Sequence, residues 1–235
     1  MEAEAVQPRR RVSPVRLYFW FLFVGLIALF NYAARLSGNS SVSNKSTHDA
    51  VYSYTTFVGG TVLYAVWLGI VLLICIDRFD LLALRYPRTG WLKALGLAGA
   101  AVVAVFAGEG IVSLLPLPES PGQEQGLTPT HWEPAHAGAF VANLVLFAVI
   151  APFVEELTFR GAGQSLLNVF VGRVPSILLV GLTFGLAHGL VEALLVLVPF
   201  GIALAVLRDR TDSTYPGMLV HGLFNGTALV LAVLS

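Results

Sequence analysis

Of 235 residues, 56% are hydrophobic and only 12% are charged, and the mean hydropathy is +0.77. A soluble globular domain carries about 25% charged residues, so that class is excluded. Fourteen Lys and Arg balance fourteen Asp and Glu, which leaves no basic surplus to attract nucleic acid.

The apolar residues fall in runs of about twenty, the length that crosses a bilayer as helix, so the expected fold is an all-α, polytopic transmembrane bundle. Arg9, Arg10, Arg11 and Arg16 precede the first run, 17–34. Its length exceeds the apolar core of a cleaved signal peptide and no clear small-x-small site follows, so a retained anchor is expected. Further runs are 51–76, 92–115, 138–154, 174–187, 190–207 and 215–234, which makes about seven spans with the fifth short. Cys75, the only cysteine, lies in the second run, so an intramolecular disulfide and a cysteine-rich zinc module are both unavailable.

Basic residues set the orientation, because cytoplasmic loops are enriched in Lys and Arg. With a cytoplasmic N-terminus, seven crossings place Arg9, Arg10, Arg11, Arg16, Arg78, Arg85, Arg88, Lys93, Arg160, Arg173, Arg208 and Arg210 inside, and leave only Arg35 and Lys45 outside. That parity requires 174–207 to be a hairpin turning near Gly189. The chain then divides into a basic N-terminus (1–16), three accessory spans (17–115), an external proline-rich loop (116–137) and a core of four spans (138–235). Five prolines, three glutamates and no Lys or Arg mark 116–137 as exposed. The polar stretch 37–49 reads as a second external loop, with sequons at Asn39 and Asn44 that matter only in a secretory-pathway host. The small residues of 94–107 suit close helix packing.

A charge in hydrocarbon costs about 2.5 to 3.5 kcal/mol even on lenient scales, so each ionisable group in a span asks for a reason. Glu109 and Glu192 lie near external ends, where snorkelling suffices. His131, Glu133 and His136 imitate a metal site, but a proline-broken loop reads as solvated surface. The remaining groups cluster in the last hundred residues. Glu155 and Glu156 are adjacent, about 100° apart on a helix, which predicts different partners and different roles. Arg160 is one turn after Glu156, so these two can be buried as an ion pair. Glu155 is then without a local cation, the setting in which a carboxylate can take up and return a proton near neutral pH. If the fourth helix runs on past Arg160 and the chain turns near Gly172, Glu155 and His188 lie at equal depth, on the order of 20 to 25 Å from the turn. Phe184, one turn before His188, can fix its ring. His221 and Asn225, one turn apart on the last span, can join one cluster with Glu155 and His188.

Glu155-Glu156-Leu157-Thr158-Phe159-Arg160, Phe184-Gly185-Leu186-Ala187-His188 and His221-Gly222-Leu223-Phe224-Asn225 resemble the ordered motifs EExxxR, FxxxH and HxxxN. These belong to the CPBP intramembrane metalloproteases, also called the type II CAAX endopeptidase or Abi family. The resemblance covers roughly the last hundred residues, with no departure at a motif position. It implies an endopeptidase working inside the bilayer, in which Glu155 and His188 activate water and His221 and Asn225 stabilise the oxyanion or help hold a metal. Glu156, Arg160 and Phe184 would be support. The family name implies zinc, with His188 and His221 as its ligands, although no HExxH motif is present.

The partners implied are the bilayer and a protein or peptide substrate, lipidated or not, cut near its C-terminus or its membrane-proximal part. The expected location is a bacterial plasma membrane. A different class of reading stays open on the same residues: a non-catalytic membrane scaffold, chaperone or bacteriocin-immunity protein in which His221 and Asn225 serve as interhelical hydrogen-bonding glue. A proton-coupled transporter is the third.

Overall fold

The computed structural model describes residues 12–36, 50–112, 114, 131–191 and 193–234. Arg9, Arg10, Arg11, Lys45, both sequons, loop residues 116–130, Glu192 and the side chains of Arg35 and Glu109 lie outside the described residues. Seven helical rods run in chain order, with no strand among the described residues: α1 (Pro14–Leu36), α2 (Tyr54–Ile74), α3 (Trp91–Val112), α4 (residues 137–170), α5 (Arg173–Ala187), α6 (Leu194–Thr211) and α7 (Tyr215–Leu234). Five of them, α1 to α4 and α7, are long and apolar enough to cross a membrane. α5 has 15 residues, and α6 carries Arg208, Asp209 and Arg210 in its last turn. The molecule is an integral membrane helix bundle.

The apolar run 138–154 understates its helix. α4 continues to Phe170 because its charges are paired inside the protein, so a run that stops at Glu155 ends where hydropathy ends rather than where the rod does. The rod is also not uniformly α-helical: Leu146–Ile150 and Leu157–Gly163 are π turns, which are rare and often mark functional sites. In the first, the Ala151 N–H bonds the Leu146 carbonyl. The next bond of that ladder would run from residue 152 to Phe147, and Pro152 has no N–H to give. The Asn225 amide of α7 donates to the Phe147 carbonyl instead, at 3.1 Å.

In the second π turn, the Thr158 carbonyl accepts from the Trp20 indole at 2.9 Å and the Arg160 carbonyl from Arg208 Nε at 3.2 Å. Neighbouring helices thus donate to backbone carbonyls of this turn from the side.

α5 and α6 form the expected hairpin, with Gly189 at a φ of +68° in the connection. They pack along their whole length. A methyl on Gly181 would lie 2.8 Å from the Ile202 backbone nitrogen, and one on Gly201 would lie 2.9 Å from Gly181. The two backbones are therefore in close contact here. In α3, Ala94 and Ala98 are buried, whereas Gly96 and Gly99 face open space. α6 also packs on α3, and α7 on α3, α4 and α6. α1 lies on α5 and α4, and α2 lies along α4. Trp20, Phe159, Phe184, Phe200 and Leu204 fill the centre. At the end of α6, the connection 78–90 is bonded to the α6–α7 turn through Arg88 N to the Thr211 carbonyl (2.7 Å) and Ser213 Oγ to the Arg85 carbonyl (2.7 Å).

Candidate functional site

Three helices bring the motif residues to one cavity of about 260 Å³. Glu155 comes from α4, Phe184 from α5, His188 from just beyond α5, and His221 and Asn225 from α7, and all five line it. Glu155 Oε2 is 3.9 Å from His188 Nε2 and 3.7 Å from His221 Nε2. The equal-depth construction from the turn at Gly172 therefore leads to a contact. Tyr64, Phe147, Leu197, Phe200 and Phe224 make most of the remaining wall, which is apolar apart from the tyrosine hydroxyl.

Both imidazoles are oriented through their other nitrogen. His188 Nδ1 lies 2.8 Å from the Phe184 carbonyl, which can only accept, so Nδ1 carries the hydrogen. His221 Nδ1 lies 3.1 Å from Glu156 Oε1 and donates to that carboxylate. In their neutral forms both rings then direct a bare Nε2 at Glu155 Oε2. Three acceptors converge at spacings too long for direct hydrogen bonds, and the space between them suits a donor such as water or a cation.

Glu156 and Arg160 are fully buried, and Arg160 Nη1 donates to Glu156 Oε1 at 2.7 Å. The guanidinium also donates to the Gly201 carbonyl at 3.1 Å and stands 4.3 Å over the Phe184 ring. Phe184 in turn packs edge-on against His221 and lies 4.6 Å from the His188 ring centre. One aromatic ring thus touches the ion pair and both histidines. The expectation that the adjacent glutamates would have separate partners needs correction. His221 meets both, because an imidazole presents one nitrogen to each side and bridges the 100° between them. Among the described residues Glu156 Oε2 has no hydrogen-bond partner, and it faces Gly217, where a methyl would lie 2.6 Å away.

Sequence reasoning missed Tyr64, whose hydroxyl donates to Glu155 Oε1 at 2.7 Å. The available signal was a phenol at the middle of an apolar span, where a hydroxyl needs a protein partner. For zinc, the donor chemistry fits: two neutral imidazoles with Nε2 free and Nδ1 engaged are the usual state of metal-bound histidine. Among the described residues, however, no group of three His, Cys, Asp or Glu is arranged as a metal set. In the segment before α4, Glu133 lies 3.0 Å from His136 Nδ1 and 3.4 Å from His131 Nε2 at the surface.

Residues 137–227 match the family model described as type II CAAX prenyl endopeptidase Rce1-like. The match supports a membrane protease of the CAAX endopeptidase type. It begins with α4, ends within α7 and contains all three motifs, while α1, α2 and α3 lie outside it. Neither a curated protein nor a solved structure matches the chain.

Proposed function

We propose, from the premise that residues 137–227 place the core of this chain in the Rce1-like endopeptidase family, that Glu155 activates water to hydrolyse a peptide bond inside the bilayer. The observation that carries this is Glu155 Oε2, faced by two imidazole nitrogens at 3.7 and 3.9 Å on the wall of an otherwise apolar cavity. A water between these atoms gives one hydrogen bond to His188 Nε2 and its other proton to Glu155 Oε2 as its oxygen bonds the scissile carbonyl carbon. The carbonyl oxygen becomes negative. Donors for it are the Asn225 amide hydrogen not used on Phe147 and, when protonated, His221 Nε2. Collapse breaks the C–N bond, and Glu155 returns the proton to the departing amine. Glu156 and Arg160 hold His221 and the α4–α6 contact from behind.

Zinc, if bound, would be held by the bare Nε2 atoms of His188 and His221 and would lower the pKa of a bound water towards 7. Metal analysis of the purified protein and of His188→Ala tests it: about one zinc per chain, lost in the variant, supports those ligands, and a metal-free active enzyme ends the proposal. The proposed substrate is a protein or peptide cut near its C-terminus or its membrane-proximal part. The proposed setting is a bacterial plasma membrane with the N-terminus in the cytoplasm.

The deciding experiment is cleavage of internally quenched peptides with a CAAX terminus, farnesylated and unmodified, by the detergent-purified chain. Wild type cleaves, and Glu155→Gln and His188→Ala lose at least about 100-fold while keeping their fold, the scale of a lost general base. Unchanged cleavage by Glu155→Gln would favour a scaffold role for the same core.

A further inference from the structure

The base proposed above has two oxygens, and only one faces the imidazoles. Glu155 Oε1 is taken by Tyr64, which belongs to α2 and lies outside the 137–227 match. A short bond from a hydroxyl to a carboxylate is among the stronger hydrogen bonds, and at the middle of α2 little else competes for it.

The phenol is held from several directions. Its ring stacks on Trp67 with centroids 5.5 Å apart and planes 17° from parallel. The Trp67 indole donates to Thr158 Oγ1 at 2.8 Å, and Thr158 donates in turn to the Val154 carbonyl at 2.7 Å, one residue before Glu155. One turn before Tyr64, Gly60 allows α2 close to α4, since a methyl there would lie 2.5 Å from Leu146 Cδ2. Gly60, Tyr64, Trp67 and Val71 recur at spacings of four, three and four residues, so a single stripe of α2 faces α4.

We propose that Tyr64 is a positioning residue supplied by the accessory helix α2: its hydroxyl engages Glu155 Oε1 and so leaves Oε2, between His188 and His221, as the atom that takes the proton from water. This rests on the reading of Glu155 as the base. The accessory spans then complete the site rather than only anchoring it.

Tyr64→Phe removes the hydroxyl and keeps the ring, its stacking and its volume. On the quenched CAAX peptide, kcat falls about 10- to 100-fold, the usual effect of removing an orienting partner, while KM stays within about twofold and the thermal midpoint is unchanged. An unchanged kcat, or a fall matched by an equal loss of thermal stability, overturns the proposal. A second readout needs no substrate. The carboxylate region of the infrared spectrum differs between wild type and Tyr64→Phe, and that difference disappears when both proteins also carry Glu155→Gln. A difference that persists in the Gln background overturns the assignment to Glu155. Failure of wild type to cleave any peptide overturns the endopeptidase reading instead, and the infrared comparison still reads the Tyr64 contact.

Discussion

Glu155 and Glu156 are neighbours in sequence with opposite dependence on burial. Glu156 is sealed with Arg160, whereas Glu155 borders a cavity and answers to a hydroxyl and two imidazoles. Removing the Glu156 charge leaves a buried guanidinium unpaired, so Glu156→Gln destabilises by about 3 to 5 kcal/mol. The thermal midpoint in detergent checks this, and Glu156→Gln with Arg160→Gln recovers part of the loss because no lone charge remains. Glu155→Gln behaves in the opposite way: activity falls about 10²- to 10⁴-fold with the midpoint within about 2 °C of wild type, since no buried cation depends on it. Equal loss of stability in the two variants would contradict this division. The Glu156–Arg160 pair was legible because four-residue spacing on a helix is a local property. The double contact of His221 was not, since it depends on how α7 is rotated against α4.

At the level of the helix, α4 is shaped by Pro152 more than by its hydropathy. The proline leaves the Phe147 carbonyl without a backbone donor, and Asn225 takes it. Pro152→Ala restores the N–H, so the carbonyl is drawn back into the helix and Asn225 is released. Peptide cleavage then falls while the fold is retained, and an enzyme assay beside a melting curve separates the two. Gly222 permits the same approach from α7, because a methyl there would lie 2.4 Å from the Ala148 carbonyl oxygen. Backbone cannot yield as a side-chain end can, so Gly222→Ala costs about 1 to 3 kcal/mol, read as a lower midpoint. Hydropathy predicted that α4 and α7 exist. It carries no information about a π turn, which arises where one missing donor meets a partner on another helix.

For the whole molecule, the distribution of basic residues predicts a cytoplasmic N-terminus and an external loop 116–137. Cys75 is the sole cysteine and is buried, so Cys75→Ala provides a clean background for labelling. A thiol introduced as Gln123→Cys reacts with an impermeant maleimide on intact cells, and one introduced as Thr89→Cys reacts only after lysis. The reverse pattern would invert the bundle and the face from which substrate arrives. The three accessory helices carry no motif, yet α1 and α2 reach the core through Trp20 and Trp67 on Thr158, and α2 also through Tyr64 on Glu155.

Sequence alone pointed to the helical membrane character, the hairpin at Gly189 and the Glu156–Arg160 pair, and it singled out Glu155, His188, His221 and Asn225 as candidates for one cluster. Apolar run length and helical spacing are written along the chain and need no knowledge of neighbours. Tertiary structure decided that α4 runs through its own charges, that His221 joins both glutamates and that Tyr64 meets the carboxylate. Each of these depends on crossing angles and on the rotation of one helix against another, which are set by packing small residues against large ones and by finding partners for every polar group that the bilayer will not hydrate.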